Sequence, residues 1–179
     1  MIVVLQTILN NEVMLRYWVQ RSSDSQTHIK AACLVSIAIV LESVHVMTCD
    51  DTKVLFDTVC RYSPYNSTME LIMNCLRQPF DEIRISSFRL LKAVAGLKPS
   101  WGLEILVEYA GFWEFLLDGS TEDSKKTKEW KFAVIDAIVA SAHNATLLNP
   151  MQRNTLMNVF AKGPFMQIRK GEEPQLQAI

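Results

Sequence analysis

Thiols and imidazoles are the side chains most able to do chemistry in this chain, and their spacing argues against it. Cys33, Cys49, Cys60 and Cys75 are 16, 11 and 15 residues apart. Redox pairs and zinc sites need two cysteines within a few residues, so these spacings fit neither. His28, His45 and His143 are as scattered and form no metal-ligand pattern. No glycine loop cradles a phosphate, no nucleophile elbow is present and no pair of carboxylates is set for acid–base work. The expectation is a chain with no catalytic residue, metal, cofactor or small-molecule substrate. Cys33 and Cys75 lie in apolar helical runs, where a thiol behaves as a small hydrophobe. Such usage suits a reducing compartment.

Three bases recur in equivalent places. Ile29-Lys30-Ala31-Ala32-Cys33-Leu34 aligns with Ile83-Arg84-Ile85-Ser86-Ser87-Phe88, and both align with Trp130-Lys131-Phe132-Ala133-Val134-Ile135. The starts at 29, 83 and 130 are 54 and 47 residues apart. A helical unit repeating near that period predicts an all-α, armadillo/HEAT-like α-solenoid. Lys30, Arg84 and Lys131 could be binding residues, but the stronger expectation is a helix-start role or a ladder between successive repeats, with Asp24 and Asp81 as acids; the third repeat departs, with Lys126, Thr127 and Lys128 nearby. The charged stretch from Glu122 to Lys131 reads as a solvated loop running into a helix start.

The second signature has a polar face. Arg89 and Lys92 are three residues apart and point the same way, with Glu82 and Ser86 on that side and Asp136 equivalent to Arg89 in the third signature. Two readings stay open for Arg89, Lys92, Glu82 and Asp136: an ordinary solvated face, or contacts to a protein partner on the inner, concave side. Trp101, Trp113 and Trp130 sit at helical spacing from other apolar residues, which predicts core positions. Trp also dominates binding hot spots, so exposure of one is the competing expectation.

The helices that must position these groups can be read in order. Met1–Gln20 is apolar with a break at Asn10-Asn11, and a helix is expected over Glu12–Val19. An uncapped apolar start is expected of a chain that begins inside a longer stack or is covered by a neighbour. Further helices are expected over Thr27–His45 (capped by Asp24 or Ser25), Thr52–Tyr62, Ser67–Arg77, Asp81–Leu97, Ser100–Tyr109, Phe112–Asp118, Glu129–Ala142 and Asn149–Ala161. Asn149 is the expected cap of the last, with Pro150 in its first turn. Residues 1–165 thus form one unit, and 166–179 read as a disordered tail.

Composition agrees. With 18 basic and 19 acidic residues the net charge is −1, which argues against a nucleic-acid partner. The longest apolar run, Ala31–Leu41, is about half a membrane span, so no membrane partner is expected. Asn66-Ser67-Thr68 and Asn144-Ala145-Thr146 read as chance sequons.

Taken in order, several stretches resemble one family. They are Ile29-Lys30 with Cys33-Leu34; Gln78-Pro79-Phe80 with Glu82; Pro99 and Trp101; Gly111-Phe112 with Glu114 and Asp118; and Gly163-Pro164-Phe165. From about Leu5 to Phe165 the chain resembles the C-terminal part of the 26S proteasome non-ATPase regulatory subunit 5 family. The tail after Gln167 does not. The resemblance implies a fragment covering the last third or so of a long solenoid. It implies a cytoplasmic or nuclear chaperone that binds a proteasome base AAA ATPase subunit through that subunit's C-terminal domain, keeps it from docking early and turns nothing over. The alternative is a solenoid scaffold or transport adaptor with another protein partner. No position-by-position contact residues follow from the resemblance.

Overall fold

A computed structural model describes residues 11, 13, 16–17, 20–21, 26–43 and 49–165, less the side chains of 49–52 and 60. Within these the chain is all-helical, with nine helices and no strand. They are α1 (Thr27–Glu42), α2 (Cys49–Arg61), α3 (Thr68–Leu76), α4 (Asp81–Ala95), α5 (Trp101–Glu108), α6 (Phe112–Leu117), α7 (Lys125–Ala140), α8 (Asn144–Leu147) and α9 (Pro150–Lys162). The expected helix over 12–19, the caps Asp24 and Ser25, His45 and the tail 166–179 lie wholly or largely outside the described residues.

The three helices that carry the repeated signature lie in a row, with α4 packed against α1 on one side and α7 on the other. This placement explains their composition. α1 is apolar on nearly every side, and Ala31, Leu34, Ile37, Ala38 and Leu41 are all buried. α4 has neighbours on both flanks, and α3 and α5 also pack against it. Phe88, Leu90, Leu91 and Val94 are consequently inaccessible to solvent. Ser86, expected on the open face, is 3% exposed. Packing on both flanks narrows that face, and Ser86 satisfies its hydroxyl by donating back to Glu82 O at 2.7 Å, the usual device of a serine inside a helix.

Local signals set most boundaries. Ser67 caps α3, its Oγ accepting from Glu70 N–H at 3.0 Å. Asn149 caps α9 in a reciprocal box with Gln152, and Pro150 opens the first turn, where its missing N–H costs nothing. Gly111 precedes α6 with φ +82°, a left-handed conformation that favours glycine. Three boundaries differ from expectation by three residues or more, and one short helix is unexpected. α1 ends at Glu42, α2 starts at Cys49, and Asn144–Leu147 forms a short extra helix. α7 starts at Lys125 because Ser124 caps it, accepting from Thr127 N–H at 3.2 Å; the lysines of its first turn hid the start.

Aromatic pairs tie the row to the helices beside it, and two of those helices to each other. Phe88 of α4 stacks on Phe115 of α6 with centroids 6.1 Å apart. Phe132 of α7 stacks on Phe160 of α9 at 5.6 Å. Phe56 of α2 meets Trp101 of α5 at 5.6 Å. Such pairs add roughly 0.5–1.5 kcal/mol each beyond the area they bury. Trp101 and Trp113 are in the core, whereas Trp130 is half-buried.

Candidate functional site

The recurring bases have different surroundings. Arg84 reaches from α4 to the loop before α7. Its Nε donates to Glu122 Oε2 at 3.0 Å, and its Nη2 donates to Glu122 Oε1 at 2.5 Å and to Thr121 O at 2.6 Å. Lys131 comes from α7 to the same loop, donating to Asp118 O and Thr121 Oγ1, both at 2.6 Å. Its ammonium lies 4.6 Å from the Phe115 ring centroid. The solvated loop expected from Glu122 to Lys131 is therefore corrected at both ends: Glu122 is 3% and Lys131 5% exposed. Arg84 meets Glu122 of the following connection rather than Asp81, which is exposed. Glu122 and Lys131 look solvated within a run of charges, but Glu122 faces Arg84 and Lys131 faces Asp118 O and Thr121 Oγ1.

This cluster sets its own electrostatics. Burial pushes the Lys131 ammonium down to about 8, against the opposing pull of Glu122 and Asp118. The Ser120 hydroxyl and N–H, at 2.6 and 2.8 Å from Asp118 Oδ1, hold the Asp118 carboxyl below its ordinary value. Every charged head is matched, so the chemistry available is cohesion between helices. In α3, burial pushes the Cys75 thiol up to about 11, outweighing Lys30 and a hydrogen bond from Ser87 that act the other way. That thiol is protonated and inert at neutral pH. Among the described residues no group of three or more His, Cys, Asp or Glu is placed to hold a metal ion, and no helix is long and apolar enough to cross a membrane.

The open face of the row is different. Arg89 of α4 donates from Nη2 to Glu42 Oε2 of α1 at 3.2 Å, with both side chains about a third exposed. Its Nε is buried and has no hydrogen-bond partner among the described residues. Lys92, one turn on, holds its ammonium 6.0 Å from the Trp130 ring centroid of α7. Glu82 and Asp136 are exposed. The structure thus brings Arg89 and Lys92 together on the central helix, each leaning toward a different neighbour. Glu82 lies at the far end of α4, and Asp136 stands on α7.

Beyond Lys92 the face opens into a groove of about 540 Å³ between the C-terminal ends of α1, α4 and α7. Leu41, Ala93, Leu97 and Ala137 line it, with Lys92 and Lys98 at its edge. It continues past Lys98 into a second hollow of about 350 Å³ that ends at His143, whose Nε2 donates to Lys98 O at 2.6 Å. Sequence reading missed Lys98 because it follows the helix and belongs to no periodic face. Its only signal was a base one residue before Pro99.

Comparison with known proteins now bears on these observations. The model of the family described as "Proteasome non-ATPase 26S subunit" matches residues 1–171. The chain belongs to this family. It is similar to 26S proteasome non-ATPase regulatory subunit 5 of Homo sapiens, with 24% identity over 149 residues, 81% of this chain and 28% of the relative. The proteins of the same name from Bos taurus and Mus musculus are 23% and 25% identical over the same shares. The chain spans 28% of the length of these curated relatives. No solved structure matches it. The family resemblance read from the Ile29-Lys30, Gln78-Pro79-Phe80 and Gly163-Pro164-Phe165 stretches is thus shown by the family match.

Proposed function

We propose that this chain is part of an armadillo/HEAT-like α-solenoid, spanning residues 1–165, that works by binding protein and catalyses nothing. In this reading it belongs to a chaperone of the proteasome base, acting in the cytoplasm or nucleus. It holds an AAA ATPase subunit by that subunit's C-terminal domain while the regulatory particle assembles. The observation that carries the reading is the α1–α4–α7 row. Three signature helices pack side by side and leave one face open. Membership of the proteasome non-ATPase subunit family supplies the context.

The action is steric and stoichiometric. A rigid row can present Arg89 and Lys92 at a fixed separation, since α4 is held on both flanks. The pair of Arg89 with Glu42 is exposed enough to contribute about 1 kcal/mol or less to stability. A partner's carboxylate can therefore take over Arg89 with little loss to the fold.

The test is capture of separately purified C-terminal domains of the base ATPases by the full chain. Selective retention of one domain, weakened by R89E/K92E, is the expected result. Retention that survives this change moves the contact elsewhere. No retention, by this chain or by one extended to the length of the relatives, returns the protein to a scaffold or transport adaptor with another partner.

A further inference from the structure

We propose that the groove at the C-terminal ends of α1, α4 and α7 binds an acidic segment of a partner protein, with carboxylates held between Lys92 and Lys98. This rests on the protein-binding reading and extends its contact at Arg89 and Lys92 into the adjoining groove. Charge selects the ligand. The one acid in the groove, Glu42, is engaged by Arg89 at 3.2 Å. Lys92 and Lys98 both line the groove, and among the described residues no carboxylate lies within ion-pair distance of either. Two cations without a counter-charge thus stand over an apolar floor.

The floor selects shape. Leu41, Ala93, Leu97 and Ala137 offer small apolar surfaces, which leaves room for a backbone to approach and for short side chains to pack. The Lys92 ammonium lies 6.0 Å from the Trp130 ring centroid, an approach that favours this position of the side chain. Its position is thus partly set before binding, which reduces the ordering cost of association. The groove runs on toward His143, so an extended segment fits better than a compact small molecule. Lone basic side chains facing water are common and mean little. Here two border one hollow between three helix ends, and that combination selects a segment that alternates acids with small residues.

The experiment uses the full chain and a fluorescein-labelled peptide of alternating glutamate and alanine, with a glutamine–alanine peptide of equal length as control. Binding is read by fluorescence anisotropy at low and high salt. The glutamate peptide should bind about tenfold or more tightly than the glutamine one, and salt should erase the difference. K92E/K98E should abolish the preference, as should the milder K92Q/K98Q if charge reversal perturbs folding. K126E/K162E, which alters exposed lysines elsewhere, should leave it unchanged. Equal binding of the two peptides overturns the proposal, and so does an equal loss in K126E/K162E. Tighter binding of an oligothymidylate through the same two lysines also overturns it, in favour of a nucleic-acid surface. Capture of an ATPase domain that K92E/K98E leaves untouched overturns the groove assignment while the chaperone reading stands. A glutamate preference that K92E/K98E removes, with no ATPase domain captured, supports the groove and counts against the chaperone reading.

Discussion

Arg84 and Glu122 are 38 residues apart in sequence and form a two-point pair, at 3.0 and 2.5 Å, between α4 and the connection leading into α7. Glu122 is fully enclosed, while the Arg84 side chain is 16% exposed. Removing one member leaves the other charged and enclosed. R84A or E122A should each lower stability by about 3 kcal/mol, read from urea denaturation midpoints. R84M/E122L should lose much less than the two single changes together. An additive double variant would show that the pair itself contributes nothing.

Lys131 should make stability depend on pH in an unusual direction. Native Lys131 loses its proton near pH 8, whereas an unfolded lysine keeps it to about 10.5. Between those values the unfolded chain binds more protons, so stability rises with pH. The stability of the natural chain should gain on that of K131M as pH climbs through this window. A difference that stays flat would mean that the ammonium is not desolvated.

Cys75 acts in the opposite sense. Its native thiol holds its proton to about 11, while an unfolded thiol ionises near 9. Between those values the native chain binds more protons, and stability falls as pH rises. C75A should lack that fall. The native thiol should also react with iodoacetamide far more slowly than after unfolding, as mass spectrometry of the Cys75 peptide can measure.

Gly102 fixes how closely α5 approaches α4. A Cβ at this position would lie 2.3 Å from Val94 O and 3.2 Å from Leu97 Cδ1. Backbone cannot yield as a side-chain tip can. G102A should therefore cost about 1–3 kcal/mol, although alanine is the better helix former. An unchanged denaturation midpoint would mean that α5 shifts without loss.

Asn149 begins the last helix. N149A removes the hydrogen bond to Gln152 N–H at 2.8 Å and should cost about 1 kcal/mol, whereas N149G should cost only a few tenths. Hydrogen exchange at the first turn of α9 would report the change directly. Equal protection in all three chains would show that Pro150 alone sets the start.

Local chemistry was legible in the sequence. Ser67, Asn149, Pro150 and Gly111 mark helix starts through groups within a few residues of themselves, and these boundaries follow from caps and backbone angles. The repeat of Lys30, Arg84 and Lys131 was enough to suggest three equivalent helices and a stack. The fate of those bases depended on tertiary structure, because a charge's environment depends on residues far away in the chain. Arg84 and Lys131 converge on one loop, although the sequence paired Arg84 with Asp81 and offered Lys131 no acid. Ser86 is enclosed because α1 and α7 both press on α4, a fact that no single helix records. The groove needed the ends of three helices from different parts of the chain to meet beside Lys98, a residue with no periodic mark. Periodicity and capping act over one turn of helix, so sequence alone determined the helices and their repetition. Burial and charge pairing act across space, so the tertiary structure decided which basic residues became internal fastenings and which were left on the open face.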